Sequence, residues 1–412
     1  MAIGSISTKP FIEELEVLLQ KNQGKSALEI AKDESFWAKI REGFTLKKDY
    51  INLENGYYCV QPTELLNQYI EKIKYSNLEG SYYMRTRQFD DKAKITARLA
   101  DLVGCSADEL IITRNTTESL DTVIAGIDWK AGDEAVMAMQ DYGSMLDMFK
   151  LQARRYGMVN KVISLPNHPE SDEEIIALYE TAITPKTRLL MVCHMVNITG
   201  QILPIQKICK MAHSKGVEVM VDGAHAVNHI DLKISDLGCD YYGSSLHKWL
   251  SVPLGAGLLY VKKEKINKLW PIYGDSGFAD DDIKKLNHTG THPVHTVMAI
   301  ENALDFQAKI GIKRKEERLR FLQEYWTRQV RNLPNIVLNT PKESHRACGI
   351  ANVGIKNIKP ADLAKILLEK YKIWTVAIDY ANVQGVRVTP HLYTSTQELD
   401  AFVTALKTLS NA

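Results

Sequence analysis

Charge of one sign is what this sequence most conspicuously lacks. Across 412 residues, 51 lysines and arginines face 50 aspartates and glutamates, for a formal charge of +1. So balanced a composition gives a nucleic-acid backbone or an anionic membrane nothing to select. Long apolar runs are missing too, since none approaches the roughly 20 residues that span a bilayer. The amino terminus, MAIGSISTKPFIEELEVLL, does not have the basic-then-apolar layout of a signal peptide. Cysteine is sparse: six residues, at 59, 105, 193, 209, 239 and 348, with no CxxC pairing. Cys193 and Cys209 lie in apolar runs, which predicts buried thiols in a reducing compartment and a cytoplasmic protein. No spacing of His, Cys, Asp and Glu suits a metal ion. Repeats and low-complexity tracts are absent as well. What is left is a chain long enough for two domains around sizeable cores.

Residues 1–50 read as helical, with Phe11, Leu15, Leu18 and Leu19 on one face and Phe36, Trp37, Ile40 and Phe44 on another. Such faces predict packing against a domain or a dimer partner. The segment Tyr50-Ile51-Asn52-Leu53-Glu54-Asn55-Gly56-Tyr57-Tyr58 changes to turn chemistry. A helical pattern from Thr63 to Val103 is interrupted around Gly80. There Arg85 and Arg87, among tyrosines, suit either an anionic substrate group or surface ion pairs. A βα alternation follows, with strands expected at Leu110–Thr113, Ala135–Met139, Lys161–Leu165, Arg188–Met195, Glu218–Val221, Tyr241–Ser244 and Leu258–Val261. Helices are expected between them at Ser144–Tyr156, Asp172–Ile183 and Pro204–Ser214. Short apolar strands separated by helices predict a mainly parallel sheet covered on both faces. From Val294 the rhythm becomes a long helical stretch to Val330, then shorter strands and helices. The expected division is a helical segment 1–50 packing with the small domain, a large domain 51–293, and a small α+β domain 294–412.

The chemistry concentrates between Glu218 and Lys263. The run Val219-Met220-Val221 ends at Asp222 and a small-residue turn carrying His225. A second strand leads into Ser244-Ser245-Leu246-His247-Lys248-Trp249. An acid after one strand and a lysine just beyond the next would converge on the carboxyl edge of the sheet, where open α/β sheets bind ligands. Taken singly, Asp222 reads as a turn former and Lys248 as a solvated surface residue. Among Ser, His and Trp, however, the amine would be partly desolvated, which lowers its pKa and frees it to form a Schiff base. Upstream, Asn115-Thr116-Thr117 opens a helix with Leu120, Val123, Ile124 and Ile127 on its apolar side. These residues are ordinary caps, and equally a phosphate seat made of hydroxyls and unpaired N–H groups at a helix start.

The order VDGAHA then SSLHKW resembles pyridoxal-phosphate enzymes of the aspartate-aminotransferase fold, in the class V aminotransferase family, and most of all its isopenicillin N epimerase-like group. The resemblance runs from about Tyr50 to the carboxyl terminus. It implies a mainly parallel seven-stranded sheet flanked by helices, a smaller α+β domain, pyridoxal 5'-phosphate as cofactor, an amino-acid substrate and a homodimer with a shared site. It makes Lys248 the Schiff-base lysine and Asp222 the partner of the ring nitrogen. His225 and Asn197 would bond the ring's phenolic oxygen. Tyr142 would stack on the ring where desulfurases place a histidine. Thr116, Thr117, Ser245 and His247 would hold the phosphate, and Thr291 would reach the phosphate of the partner subunit. Asn55 would line the substrate pocket, and Arg387 would clamp the α-carboxylate.

The stretch before Arg387, Ile373 to Val383, contains no cysteine, which argues against sulfur transfer through a persulfide. Epimerisation or racemisation is therefore expected first, transamination second and C–S lysis third. Lys248 would serve one face of Cα, with Tyr142 and His225 as candidates for the other. A cofactor-binding regulator is disfavoured, because the 48-residue amino-terminal segment is short for a DNA-binding module and both the lysine and the acid are present.

Overall fold

A computed structural model describes residues 11–274 and 277–411. The helix expected over Met1 to Pro10 lies outside these residues. Its centre is a seven-stranded sheet built from β1 (Leu110–Thr113), β2 (Glu134–Ala138), β3 (Val159–Ile163), β4 (Thr187–Cys193), β5 (Glu218–Asp222), β6 (Tyr241–Ser245) and β7 (Gly257–Val261). Spatially the order is β1-β7-β6-β5-β4-β2-β3. Every neighbouring pair is parallel except those of β7, which runs antiparallel to both β1 and β6. The inner strands are apolar and buried along nearly their whole length because helices cover both faces. β3, at the edge, alternates between exposed and half-buried positions, and its Lys161 pairs with Glu134 at 2.9 Å. The apolar signal there is weak, and the strand lies two residues upstream of its expected place.

The antiparallel β7 matters for the site. Its first residue, Gly257, lies at the edge where the parallel strands end, and a Cβ there would meet the backbone of Asn115 at 2.7 Å. Only glycine lets this strand and the loop after β1 approach so closely. The carboxyl ends of β1, β4, β5 and β6 and the start of β7 thereby face one region.

A second sheet is formed by β8 (Ile336–Leu338), β9 (Ala351–Ile355), β10 (Val376–Tyr380) and β11 (Val383–Val388), all antiparallel, in the order β10-β11-β9-β8. Leu322, Trp326, Leu363, Leu367, Phe402 and Leu406, from three helices, pack with its apolar side. Before that sheet, helix Val294–Ile310 lies against helices Thr63–Thr86 and Gln88–Val103. By packing it therefore belongs with the large-sheet layer, although the boundary expected from sequence falls just ahead of it. Helix Thr63–Thr86 is kinked where Gly80 takes a left-handed φ of 52°.

Of the amino-terminal helices Phe11–Lys21, Ala27–Lys32 and Glu34–Glu42, the first packs on helix Val294–Ile310 and the second on helix Ile312–Val330. Ser26 and Glu29 form a capping box, and Asp33 caps Glu34–Glu42 through the N–H of Phe36. Arg318, fully buried, donates to the carbonyls of Ala31 and Thr394, pairs with Glu34 and lies over the Trp37 ring. Ile51–Asn52 then pairs in parallel with Ile373–Trp374, and the N–H of Thr389 donates to the Leu53 carbonyl at 2.7 Å. These few bonds deliver residues 54–57 to the edge of the large sheet.

Candidate active site

The strand ends enclose a cavity of about 270 Å³. Its wall includes Thr116 and Thr117 after β1, Tyr142 after β2, Cys193 and Asn197 from β4, Asp222 and His225 from β5, and Ser245, His247 and Lys248 from β6. Gly56, Tyr57 and Arg387 close it from the side of the smaller sheet, and Leu254 and Gly255 from the loop before β7.

Lys248 Nζ lies 3.1 Å from His225 Nε2, whose other ring nitrogen accepts the indole N–H of Trp249 at 3.3 Å. An indole N–H can only donate, which assigns the imidazole proton to Nε2, facing the lysine. Burial keeps that imidazole neutral by holding its pKa well below the usual value, and the charges of Lys248 and Arg387 add to the effect. Burial also lowers the Lys248 pKa to about 8, against the opposing pull of Asp222. Above that pH the amine is a free base and can accept the Nε2–H. Asp222 is buried and accepts the N–H of Ala224 at 2.9 Å. Burial raises its pKa, while that N–H and Lys248 hold it down.

At the other end of the cavity, the N–H of Thr116 donates to Ser245 Oγ at 2.9 Å, and the two hydroxyl oxygens are 2.7 Å apart. Asn115 caps the helix by accepting from the N–H of Glu118 at 2.9 Å. Beside this cup, the buried Nδ1 of His247 has no hydrogen-bond partner among the described residues, and burial lowers the His247 pKa to about 4. Tyr142 presents a ring that is 43% exposed, at the start of helix Gly143–Tyr156. Asn197 contributes its carbonyl, which accepts from Arg387 Nη1 at 3.3 Å.

Four candidate positions lie outside this cavity. Asn55 is fully buried and engaged elsewhere: its Nδ2 donates to the Thr389 carbonyl at 2.8 Å, and its Oδ1 accepts the Tyr393 hydroxyl at 2.6 Å. It anchors the turn that presents Gly56 and Tyr57 and does not itself reach the pocket wall. Thr291 is exposed, away from the cavity of its own chain. Arg87 donates to the Tyr75 hydroxyl at 2.9 Å on the kinked helix, and Arg85 is likewise outside the wall. Two members of the site were not anticipated. Arg114 forks onto Glu118 with both bonds at 3.1 Å. Glu54 takes the Nε and Nη2 of Arg387 at 3.0 and 2.6 Å. The i,i+4 spacing of Arg114 and Glu118 was a usable signal, whereas nothing local joins Glu54 to a strand more than 300 residues away.

Residues 55–402 match the model of the class V aminotransferases. The chain belongs to this family. Isopenicillin N epimerase of Amycolatopsis lactamdurans is 28% identical over 396 residues, covering 91% of this chain and 98% of that enzyme. A protein of Methanothermobacter thermautotrophicus named "Probable cysteine desulfurase" is 24% identical over 344 residues, covering 80% of this chain and 84% of that one. Among solved structures, a variant of C-DES with glycine covalently linked to its PLP cofactor has a TM-score of 0.80 at 21% identity, over 89% of this chain and 98% of that one. At that identity the likeness is one of fold.

This class V protein uses pyridoxal 5'-phosphate, and the residues at its cavity suit that group. The Thr116–Ser245 cup at a helix start and the unpartnered His247 nitrogen fit a phosphate. The buried acid at the end of β5 fits a protonated ring nitrogen, and the amine of lowered pKa fits a carbonyl carbon. Bound there, the cofactor supplies an electron sink for negative charge at a substrate α-carbon.

Proposed function

We propose that this protein is an epimerase or racemase acting at the α-carbon of an amino acid, with pyridoxal phosphate held by Lys248, Asp222, His225, Tyr142, Asn197, Thr116, Thr117, Ser245 and His247. The observation that carries the reading is the hairpin before Arg387. β10 and β11 pair in continuous register, and their turn is Ala381-Asn382, both in the left-handed region at φ 53° and 61°. A tight turn without cysteine leaves no mobile loop to carry a thiol to the substrate. Cys193, the cysteine on the cavity wall, donates to the Met195 carbonyl at 3.1 Å, and burial holds its thiol pKa well above the usual value. Cys59 is likewise buried with a raised pKa. Neither environment activates a thiolate. Together with the epimerase relative, this favours proton chemistry over sulfur transfer.

Lys248 then moves the proton on one face of Cα, with His225 holding its amine, and Arg387 orients the carboxylate. The test is to incubate the holoenzyme with L- and D-amino acids in deuterated water. Deuterium entering Cα of both enantiomers, with the cofactor absorbance preserved, supports epimerisation. Conversion of the cofactor to its amine form would replace this reading by transamination, and release of a β-substituent by lysis. Arg387→Lys is expected to raise KM for the amino acid about tenfold or more, because an ammonium lacks two parallel N–H donors. Unchanged steady-state constants would remove Arg387 from the carboxylate seat.

The active unit is proposed to be a cytoplasmic homodimer. Leu66, Ile70, Leu78 and Tyr82 are exposed on the kinked helix, as is Phe89 just beyond it, and a twofold contact would cover such a surface. Thr291, exposed on its loop, would reach the partner's phosphate. Mixing Lys248→Ala protein with a variant disabled at Thr291 is expected to restore part of the activity on subunit exchange, since one site in the mixed dimer carries neither defect. Exchanged heterodimers without recovery would refute sharing.

A further inference from the structure

Arg387, the cation best placed for a substrate carboxylate, already has a carboxylate. Glu54 takes its Nε and Nη2 in a buried two-bond fork, and both side chains are almost fully shielded from water. The Asn197 carbonyl takes a third donor, on Nη1. A guanidinium has five N–H groups, so two remain, one on each terminal nitrogen. Gly56 lies flat against the group: a Cβ there would sit 3.2 Å from Arg387 Cζ. The guanidinium is thus fixed along one edge and against one face, with its far end on the cavity wall.

We propose that Glu54 is the resident counter-ion of Arg387, so that an incoming carboxylate meets a neutral pair and is selected by the geometry of the two remaining N–H groups instead of by net charge. Two consequences follow from Coulomb's law at short range in a poorly solvated site. Simple anions, which need only charge, bind weakly. Glu54 also offsets part of the field of Arg387 at Lys248, since the two act on that amine in opposite directions. The other charged or titratable groups around Lys248 are Asp222, His225, His247 and Cys193; of these, His225 also feels the charge of Arg387, which adds to burial in keeping it neutral.

The inference rests on the proposed function only in taking Lys248 as the cofactor lysine and Arg387 as the carboxylate seat. The experiment compares holoenzymes of wild type, Glu54→Gln, Glu54→Asp and the double variant Glu54→Gln/Arg387→Gln. One readout is the pH of the cofactor's visible absorbance transition, and the other is the dissociation constant of propionate by calorimetry. Glu54→Gln, which leaves Arg387 unbalanced, is expected to move the transition down by about one pH unit and to tighten propionate about fivefold, with the tightening lost in strong salt. Glu54→Asp keeps the charge and should hold the wild-type transition. The double variant, again neutral, should return to within about half a unit of wild type. An unmoved transition and unchanged propionate binding in Glu54→Gln would overturn the proposal. If Glu54→Gln fails to fold, a double variant displaced from wild type by a full unit does the same. Borohydride reduction separates the two levels: label on a lysine other than Lys248 defeats the functional reading, while label on Lys248 with a silent Glu54→Gln defeats this inference alone.

Discussion

Lys248→Ala protein is expected to bind pyridoxal phosphate without being fixed to it by borohydride, and to lose Cα-proton exchange by about 10²–10⁴-fold, the usual range for removing a positioned acid–base group. The phosphate cup does not involve the lysine: Thr116, Ser245 and the helix start at Asn115 are held by their own bonds. Cofactor affinity should therefore fall only in its covalent part, and dialysis should remove cofactor that wild type retains. The substitution also leaves the His225 Nε2–H, now 3.1 Å from a lysine nitrogen, facing an empty position. An added small primary amine is expected to recover part of the exchange, since it can occupy that space and accept the same proton. Full activity in Lys248→Ala, or wild-type protein reduced onto another lysine, would discard the assignment.

Asp222→Asn should keep the cofactor and lose the chemistry. A buried amide has nearly the shape of the carboxylate but cannot hold a proton on the ring nitrogen by charge. Loss of a preorganised charge of this kind amounts to about 3–4 kcal/mol, or roughly 10²–10³-fold in turnover. One detail sharpens the expectation. Asp141, also buried, has its carboxyl pushed up to about 8 by burial, with Asp222 adding repulsion. It does not line the cavity, whose wall carries Asp222, so no second carboxylate stands ready to replace Asp222. Normal Cα exchange in Asp222→Asn, with cofactor bound, would refute the role of this acid.

How much of this was legible in the sequence depended on distance along the chain. Lys248, His247, Ser245, Asp222 and His225 fall within 27 residues, at the ends of two strands adjacent in both sequence and space, so their convergence could be read from strand order alone. Tyr142, Asn197, Thr116 and Thr117 follow other strands of the same sheet and reach the same cavity for the same reason. The strands themselves were recognisable where both faces are buried. They drifted at the edge strand β3, where solvent replaces one layer and apolar residues no longer mark the limits. Asn55 could not be placed this way. Its character is decided by Thr389 and Tyr393, more than 330 residues downstream, and no periodicity connects them. The same holds for Glu54, an ordinary acid in a turn until the fold sets Arg387 against it.

That last pairing joins a residue near the start of the chain to the final strand. In a chain made from its amino terminus, every element of the phosphate cup has emerged by the end of β7, whereas the carboxylate seat waits for β11. Contacts of such wide separation form late, because the loop between them must close first. Cofactor capture can thus precede substrate competence during synthesis, because the grip on the amino acid is the last part of the site to be made.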